Sequence, residues 1–379
     1  MIEPTPQSAA TRIAPFDGLR ALAALSVVAF HMGLSFAVGG VIGVNWFFVL
    51  SAYLITTILI GQLETHGDID FRKFMMRRLS RLVPALLVLV SAVLLTLVLF
   101  ARERLASTLR EALATVLYIS NITSFNPNAT ERFFGHTWSL SLEMQFYLVL
   151  PFVLRAVWRR RWSHRQVAVG AVVVSVICAT VRTVGLMIWG EVPLVVHNPL
   201  LDLHLFGTGI ALAYALRPGT WPQVAAWLTR HTIPMICMAW TLADIYLQPR
   251  WPRTLGPVHD VITGLCIAVV LGHVLVALDG PLARVLAWRP LAALGLMSYS
   301  LYLWHFPIFE LFTDGVLISG HGMIRNIAKL GLSFFVSYAS YRFIERPILL
   351  RRTSARRSSV VDQVPAGQPA GQPAGQPVR

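Results

Sequence analysis

Residues 77–100 read RRLSRLVPALLVLVSAVLLTLVLF, and this stretch decides the fold class. From Pro84 to Phe100 it contains no charged residue. An apolar helix of about 20 residues is long enough to cross the roughly 30 Å hydrocarbon layer of a bilayer. Comparable runs recur along the chain, which is 55% hydrophobic and only 13% charged. This composition excludes an ordinary soluble domain and predicts an all-α, polytopic membrane protein.

Polar breaks between the apolar runs predict a bundle of about ten transmembrane helices. The segment 108–123 is short and carries Arg110, Glu111 and Asn121. We therefore expect a re-entrant or short helix there instead of an eleventh full crossing. The predicted spans are 16–36, 40–62, 84–100, 138–157, 166–188, 200–216, 232–248, 258–278, 291–313 and 323–344.

The basic residues, which give a formal net charge of +14, cluster between the predicted spans. Placing both termini in the cytoplasm puts most of them on the inner side, as the positive-inside rule requires. The pattern predicts a multi-pass protein of a bacterial plasma membrane and argues against binding of nucleic acid. Three regions follow: a cytoplasmic segment 1–15, a transmembrane domain 16–347, and a disordered cytoplasmic tail 348–379 that contains Pro-Ala-Gly-Gln repeats.

Ionisable residues inside a span are costly, so each is a functional candidate by default. Arg20 and His31 are eleven positions apart, which places them on one helix face about 16 Å from each other. Counted along the predicted spans, His31, Asn45 and Glu143 lie at a similar depth. A carboxylate beside a histidine fixes its tautomer and stabilises the imidazolium of a general base. The alternative is a buried His–Glu pair that only locks helices together.

Arg78 and Arg81 are three positions apart, so they share one face of a helix. Guanidinium groups bind phosphate oxygens in a bidentate manner, and this pair is a candidate phosphate site. The alternative is anchoring to lipid head groups. Tyr302 and His305 either line a cavity or belong to an aromatic belt at the membrane interface. The cysteines lie in apolar runs without metal-type spacing, so no metal site is predicted.

Together, the polar segments resemble the acyltransferase 3 family of integral membrane O-acyltransferases, over residues 16–347. This chain departs from the family pattern in having Asn45 instead of Asp, and Ser51-Ala-Tyr instead of Ser-Gly-Phe. An amide at position 45 carries no charge, although it can still form hydrogen bonds. The motifs are Phe16-Asp-Gly-Leu-Arg20 with His31, Gly43-Val-Asn-Trp-Phe-Phe, Arg77-Arg78-Leu-Ser-Arg81-Leu-Val-Pro84, His136-Thr-Trp-Ser-Leu-Ser-Leu-Glu143-Met-Gln-Phe-Tyr147, Ser298-Tyr-Ser-Leu-Tyr-Leu-Trp-His305 and Glu345-Arg346-Pro347.

The resemblance implies an enzyme that transfers a short acyl group from acyl-CoA, with acetyl-CoA expected as co-substrate and no bound cofactor. The acceptor would be a hydroxyl of a glycan, a lipid-linked sugar or a natural product. We expect three groups of site residues: catalytic His31, Arg20 and Glu143; lining residues Asn45, His136, Trp138, Ser139, Tyr147, Tyr302 and His305; and acyl-CoA-binding Arg77, Arg78 and Arg81.

Two other interpretations remain open at this point. The acyl group could pass through a protein nucleophile, for which Ser51, Ser139 and Ser141 are available. The chain could also be a proton-coupled transporter that uses Arg20, His31 and Glu143 as a relay. Inverted repeats of hydropathy would favour the transporter, and none is evident in the sequence.

Overall fold

The computed structural model describes residues 13–123, 133–190, 198–247, 256–313 and 322–350, and every regular element in these ranges is a helix. Short 3-10 turns precede α4 and α6, and a π-helical turn, Tyr341–Glu345, extends the last helix. The α-helices are α1 Ala14–His31, α2 Ile42–His66, α3 Phe71–Phe100, α4 Leu105–Val116, α5 Ser120–Thr123, α6 Trp138–Arg159, α7 His164–Trp189, α8 Leu203–Ala215, α9 Pro222–Leu228, α10 Thr232–Leu247, α11 Gly256–Val276, α12 Pro281–Leu286, α13 Arg289–Leu296, α14 Ser298–Thr313 and α15 Met323–Ser340.

The helices confirm the polytopic, all-α class. Within the part of the chain that the structure describes, four helical stretches are long and apolar enough for a full crossing: α2, α3, α6 with its preceding turn, and α7. The described ranges also contain shorter apolar helices, including α8 and α10. The expected number of ten crossings is therefore not confirmed by helix length and composition.

The predicted span 84–100 is only the second half of α3, which starts at Phe71. The side chain of Asp70 caps the helix by accepting a hydrogen bond from the backbone N–H of Lys73 at 2.8 Å. Pro84 lies inside the helix without ending it. Arg78 and Arg81 consequently project from a continuous helix, which fixes their direction relative to the neighbouring helices.

The prediction of one continuous helix over 291–313 is wrong. The helix ends at Leu296, and the backbone N–H of Met297 bonds to Leu294 O at 3.1 Å in a turn before α14 begins at Ser298. Apolar periodicity does not detect this interruption, because the residues on both sides are equally hydrophobic. The break lets α14 take a direction of its own.

The segment 108–123 agrees with the expectation of a short helix. It forms the end of α4 and the single turn α5, separated at Tyr118, whose φ is 56°. The 12 residues of α4 span about 18 Å at 1.5 Å per residue, which is too short to cross the hydrocarbon layer.

The predictions for the two termini concern residues that lie mostly outside the described ranges. Of the segment 1–15 only residues from 13 onward are described, and of the tail 348–379 only residues up to 350. The disordered tail and the cytoplasmic position of both ends therefore stay predictions.

Close backbone contacts fix α1 against the α12–α13 corner. A Cβ built on Gly18 would lie 2.1 Å from Leu286 O, and one built on Gly295 would lie 1.7 Å from Asp17 O. Small residues allow helices in a membrane to approach this closely. Because Arg20 follows Asp17 and Gly18 by less than one turn, this contact also positions the arginine.

Replacing Gly295 by Ala is expected to lower the stability of the purified protein by about 1–3 kcal/mol or more, since overpacking forces the backbone apart. Gly331→Ala is the matched control, because a Cβ on Gly331 meets nothing within 4 Å. Thermal unfolding in detergent measures both variants. An equal midpoint for the two would contradict the proposed close contact.

Candidate active site

A cavity of about 100 Å³ lies between α1, α2, α3, α6 and α14. Its wall brings together polar and charged side chains that lie far apart in the sequence, from Arg20 to Tyr302. Aromatic and aliphatic side chains form the rest of the wall. The polar lining residues are Arg20, Ser51, Arg78, Arg81, Ser139, Glu143, Tyr147, Ser298, Tyr299 and Tyr302.

The arginines form the cationic end of this cavity. The Arg78 guanidinium lies 5.7 Å from the centre of the Phe74 ring and 5.5 Å from that of Tyr147. Such cation–π contacts hold the group over the rings without using up its N–H donors. Nε of Arg81 is buried and has no hydrogen-bond partner in the described ranges. A buried guanidinium N–H without a partner is costly, so this end of the cavity favours an anionic ligand.

Two carboxylates partly offset the arginine charge. Glu143 accepts hydrogen bonds from the Ser51 hydroxyl and the Tyr147 hydroxyl. Glu345, in the π-helical turn, is only 2% exposed and accepts a hydrogen bond from Ser300. Both carboxylates lie close enough to Arg20 to attract it. Glu143 therefore belongs to the cavity, in a network with Ser51 and Tyr147.

A cluster of three histidines lies next to the cavity. The ring centre of His305 is 5.0 Å from that of His31 and 5.5 Å from that of His136. His136 and His305 are buried, whereas His31 is partly exposed. Phe306 packs against both His31 and His136, at 4.9 and 5.0 Å. Among the described residues, no group of histidines, cysteines and carboxylates has the arrangement of a metal site.

Backbone carbonyls fix the tautomers of two of these histidines. Nδ1 of His31 lies 3.0 Å from Val27 O, and Nδ1 of His305 lies 3.0 Å from Leu301 O. A carbonyl can only accept, so each Nδ1 carries the proton. Nε2 of His305 then has a lone pair that also accepts from His31 Nδ1, at 3.1 Å. Nε2 of His31 keeps its own lone pair and has no hydrogen-bond partner in the described ranges.

His31 is thus oriented by Val27 and His305, and its hydrogen-bond partners do not include Glu143. The sequence placed these two residues at one depth, and the structure directs them to different neighbours. Another imidazole and a backbone carbonyl, instead of the expected carboxylate, contact Nδ1 of His31. An imidazole lone pair next to Nδ1–H can stabilise the imidazolium that forms when His31 takes a proton.

Tyr302 connects the cavity with the histidine cluster. Its ring lines the cavity beside Phe47, at 6.1 Å between centres. The centre of its ring also lies 5.5 Å from that of His136 and 5.7 Å from that of His305. Along α6, the helix rises about 12 Å over the eight residue steps from Ser139, which contacts Tyr302, to Tyr147, which contacts Arg78.

The other expected site residues divide into two groups. Ser139, Tyr147 and Tyr302 line the cavity, and His136 and His305 form the adjacent cluster. Arg77, Asn45 and Trp138 are not part of the cavity wall. Arg77 is exposed on the outside of α3, Asn45 lies in the first turn of α2, and Trp138 packs its ring against Phe48 at 6.2 Å.

Sequence reasoning missed three members of the site. Ser51 was considered only as a nucleophile, and the structure places it in the network with Glu143. Tyr299, quoted only as part of the motif Ser298–His305, lines the cavity, and its hydroxyl donates to Leu82 O at 2.7 Å. Glu345, quoted only as part of the motif Glu345–Pro347, lies near Arg20 and Arg81. The sequence feature that could have indicated Glu345 as a site residue is a carboxylate at the end of an apolar run.

Fold and site together define a helical membrane protein with an arginine-lined cavity and a cluster of three histidines between its helices. The acyltransferase domain family matches residues 13–342, and the chain belongs to this family. Three relatives in the curated proteins are similar over most of this chain. They are the peptidoglycan O-acetyltransferase OatA of Listeria monocytogenes (31% identical, 88% of this chain and 55% of the relative), the putative peptidoglycan O-acetyltransferase YrhL of Bacillus subtilis (31%, 90% and 55%) and the O-acetyltransferase OatA of Staphylococcus aureus (32%, 88% and 56%).

The chain therefore spans about half the length of the curated relatives it matches. No solved structure matches it. Family membership confirms the resemblance that the sequence motifs indicated, and the transporter interpretation receives no support from these relatives.

Proposed function

We propose that this protein transfers an acetyl group from acetyl-CoA to a hydroxyl of a cell-wall glycan, with His31 as the general base. The observation that carries the proposal is the His31 geometry, in which Nδ1–H is held by Val27 O and His305 and Nε2 keeps its lone pair. Three relatives named as O-acetyltransferases, two of them for peptidoglycan, support the acyl group and the acceptor class.

The donor would bind with its phosphates at the arginine end. Coenzyme A carries a diphosphate and a further phosphate, and guanidinium groups pair with phosphate oxygens in a planar, bidentate geometry. A cavity of about 100 Å³ is far smaller than the roughly 300–1,000 Å³ of pockets that enclose whole drug-sized ligands. It has room for the acyl end of the donor, so the nucleotide would lie outside it, at the mouth formed by Arg78 and Arg81.

The chemical step would be direct transfer. His31 Nε2 takes the proton of the acceptor hydroxyl while the hydroxyl oxygen attacks the carbonyl carbon of the thioester. The C–S bond then breaks. The proton on His31 passes to the departing thiolate, which leaves as the free thiol. Arg20, on the same helix as His31, would hold donor phosphate or the charge that develops on the carbonyl oxygen.

The decisive experiment is acetyl transfer by the purified protein in lipid nanodiscs. With radiolabelled acetyl-CoA and soluble peptidoglycan strands, we expect label on the glycan and release of free CoA. Label trapped on the protein when acceptor is omitted would favour the two-step route. Absence of any acetyl-CoA turnover by folded protein would refute the proposed donor.

Replacing Glu143 by Gln is expected to lower kcat/KM for acetyl-CoA about tenfold. The amide keeps the shape of the side chain, but it removes the negative charge that attracts Arg20. It also weakens the hydrogen bonds that the carboxylate accepts from the hydroxyls of Ser51 and Tyr147. Glu64→Gln is the control, because Glu64 pairs with Arg217 at the other end of α2, away from the cavity. Equal kinetics for the two variants would show that the Glu143 charge is dispensable.

A further inference from the structure

The histidine cluster lies next to the cavity but does not line it. None of the three clustered histidines, His31, His136 or His305, belongs to the cavity wall. Tyr302 does, and its ring also contacts those of His136 and His305. Tyr302 is therefore the wall residue through which a thioester in the cavity would meet the histidine cluster.

Two hydrogen bonds hold Tyr302 in this position. Its hydroxyl donates to His136 O at 2.9 Å and accepts from the Ser139 hydroxyl at 2.6 Å. The side chain is 6% exposed, so these bonds lie away from bulk solvent. Both partners lie at or just before the start of α6, in the 3-10 turn Gly135–Thr137 and the first turn of the helix. Tyr302 is thus latched to the turn that also carries the His136 ring.

We propose that Tyr302 is the residue that decides whether the acyl group goes to the acceptor or to water. This inference rests on the proposed function. With the latch closed, the ring separates the bound thioester from the base. Transfer requires the ring to turn away. The ring turns when the acceptor binds next to the histidines. Enzymes that handle reactive intermediates commonly exclude water until the correct partner is in place.

The side reaction that the ring prevents is hydrolysis of the thioester. A water oxygen would attack the carbonyl carbon, a C–O bond would form, and the C–S bond would break. The proton of the water would pass to His31 Nε2 and then to the thiolate, which gives acetate and free CoA. This reaction needs the same base as transfer, so opening the partition exposes the donor to it.

Two variants separate the ring from its latch. Tyr302→Ala removes both, and Tyr302→Phe keeps the ring but removes the two hydrogen bonds. The readout is the ratio of acetyl-CoA hydrolysis without acceptor to acetyl transfer with soluble peptidoglycan strands, in nanodiscs. We expect this ratio to rise about tenfold or more in Tyr302→Ala. Loss of the latch alone, worth about one or two ordinary hydrogen bonds, should raise it about two- to tenfold in Tyr302→Phe.

Tyr338→Ala is the matched control, since Tyr338 is 56% exposed on α15 and takes no part in the site. A ratio within twofold of the wild type in Tyr302→Phe would overturn the inference, whether or not Tyr302→Ala folds. A fall of hydrolysis and transfer in parallel would overturn it as well, because that is the effect of a purely structural tyrosine. Wild-type protein without acetyl-CoA turnover is a different result, which refutes the proposed function and this inference with it.

Discussion

Replacing His31 by Gln should reduce acetyl transfer about 10²–10⁴-fold, the usual contribution of a positioned general base. Gln is similar in length and polar, but its amide nitrogen has no lone pair that takes up a proton. Val27 O and His305 hold the imidazole with Nε2 free, and no other ionisable group among the described residues has this arrangement beside the cavity. The effect should fall on kcat, with KM for acetyl-CoA nearly unchanged.

His66→Gln provides the control for this experiment, because His66 is an exposed residue at the far end of α2. Comparable amounts of folded protein, measured by size-exclusion chromatography, make the rates comparable. Transfer by the His31 variant within tenfold of the control would rule out general-base catalysis by His31.

The double change of Arg78 and Arg81 to Gln should raise KM for acetyl-CoA about 100-fold or more. Hydrogen bonds to charged groups contribute about 1.5–3 kcal/mol each, and a factor of ten corresponds to about 1.4 kcal/mol. Loss of two such contacts at the mouth of the cavity therefore gives at least this factor. The limiting rate should change much less, since both arginines are proposed to bind donor phosphates and not to act in the chemical step.

Arg72→Gln is the matched control, because Arg72 is exposed on the same helix and lies outside the cavity wall. Titration with CoA that lacks an acyl group gives the binding constant directly, apart from catalysis. If the double variant binds CoA as tightly as the Arg72 variant does, the donor phosphates do not bind at this mouth.

The sequence predicted those features of the site that depend on a single helix. Arg78 and Arg81 share a face because of their spacing, and the structure places both at one cavity. Arg20 and His31 likewise lie on one helix, with Arg20 at the cavity and His31 in the histidine cluster. Helical periodicity is a local property, so the face on which a residue lies can be predicted without knowing which helices pack against it.

Contacts between helices could not be predicted from the sequence, because the depth of a residue in the membrane does not give the rotation of its helix about the helix axis. Equal depth suggested that Glu143 orients His31, whereas the rotation of α14 brings His305 to it instead. The break at Met297 and the π-helical turn at Glu345 were hidden for a related reason. Both depend on tertiary packing, which hydropathy does not report.

The rise of about 12 Å along α6 from Ser139, which contacts Tyr302, to Tyr147, which contacts Arg78, would act as a ruler for the proposed donor. In acetyl-CoA a long pantetheine arm separates the thioester from its nearest phosphate, so one molecule can reach both ends. In acetyl phosphate the carbonyl carbon and the phosphorus share a single oxygen atom, so the two groups cannot be pulled so far apart. With the donor bound as proposed, this length would distinguish acetyl-CoA from acetyl phosphate, although both are activated forms of acetate.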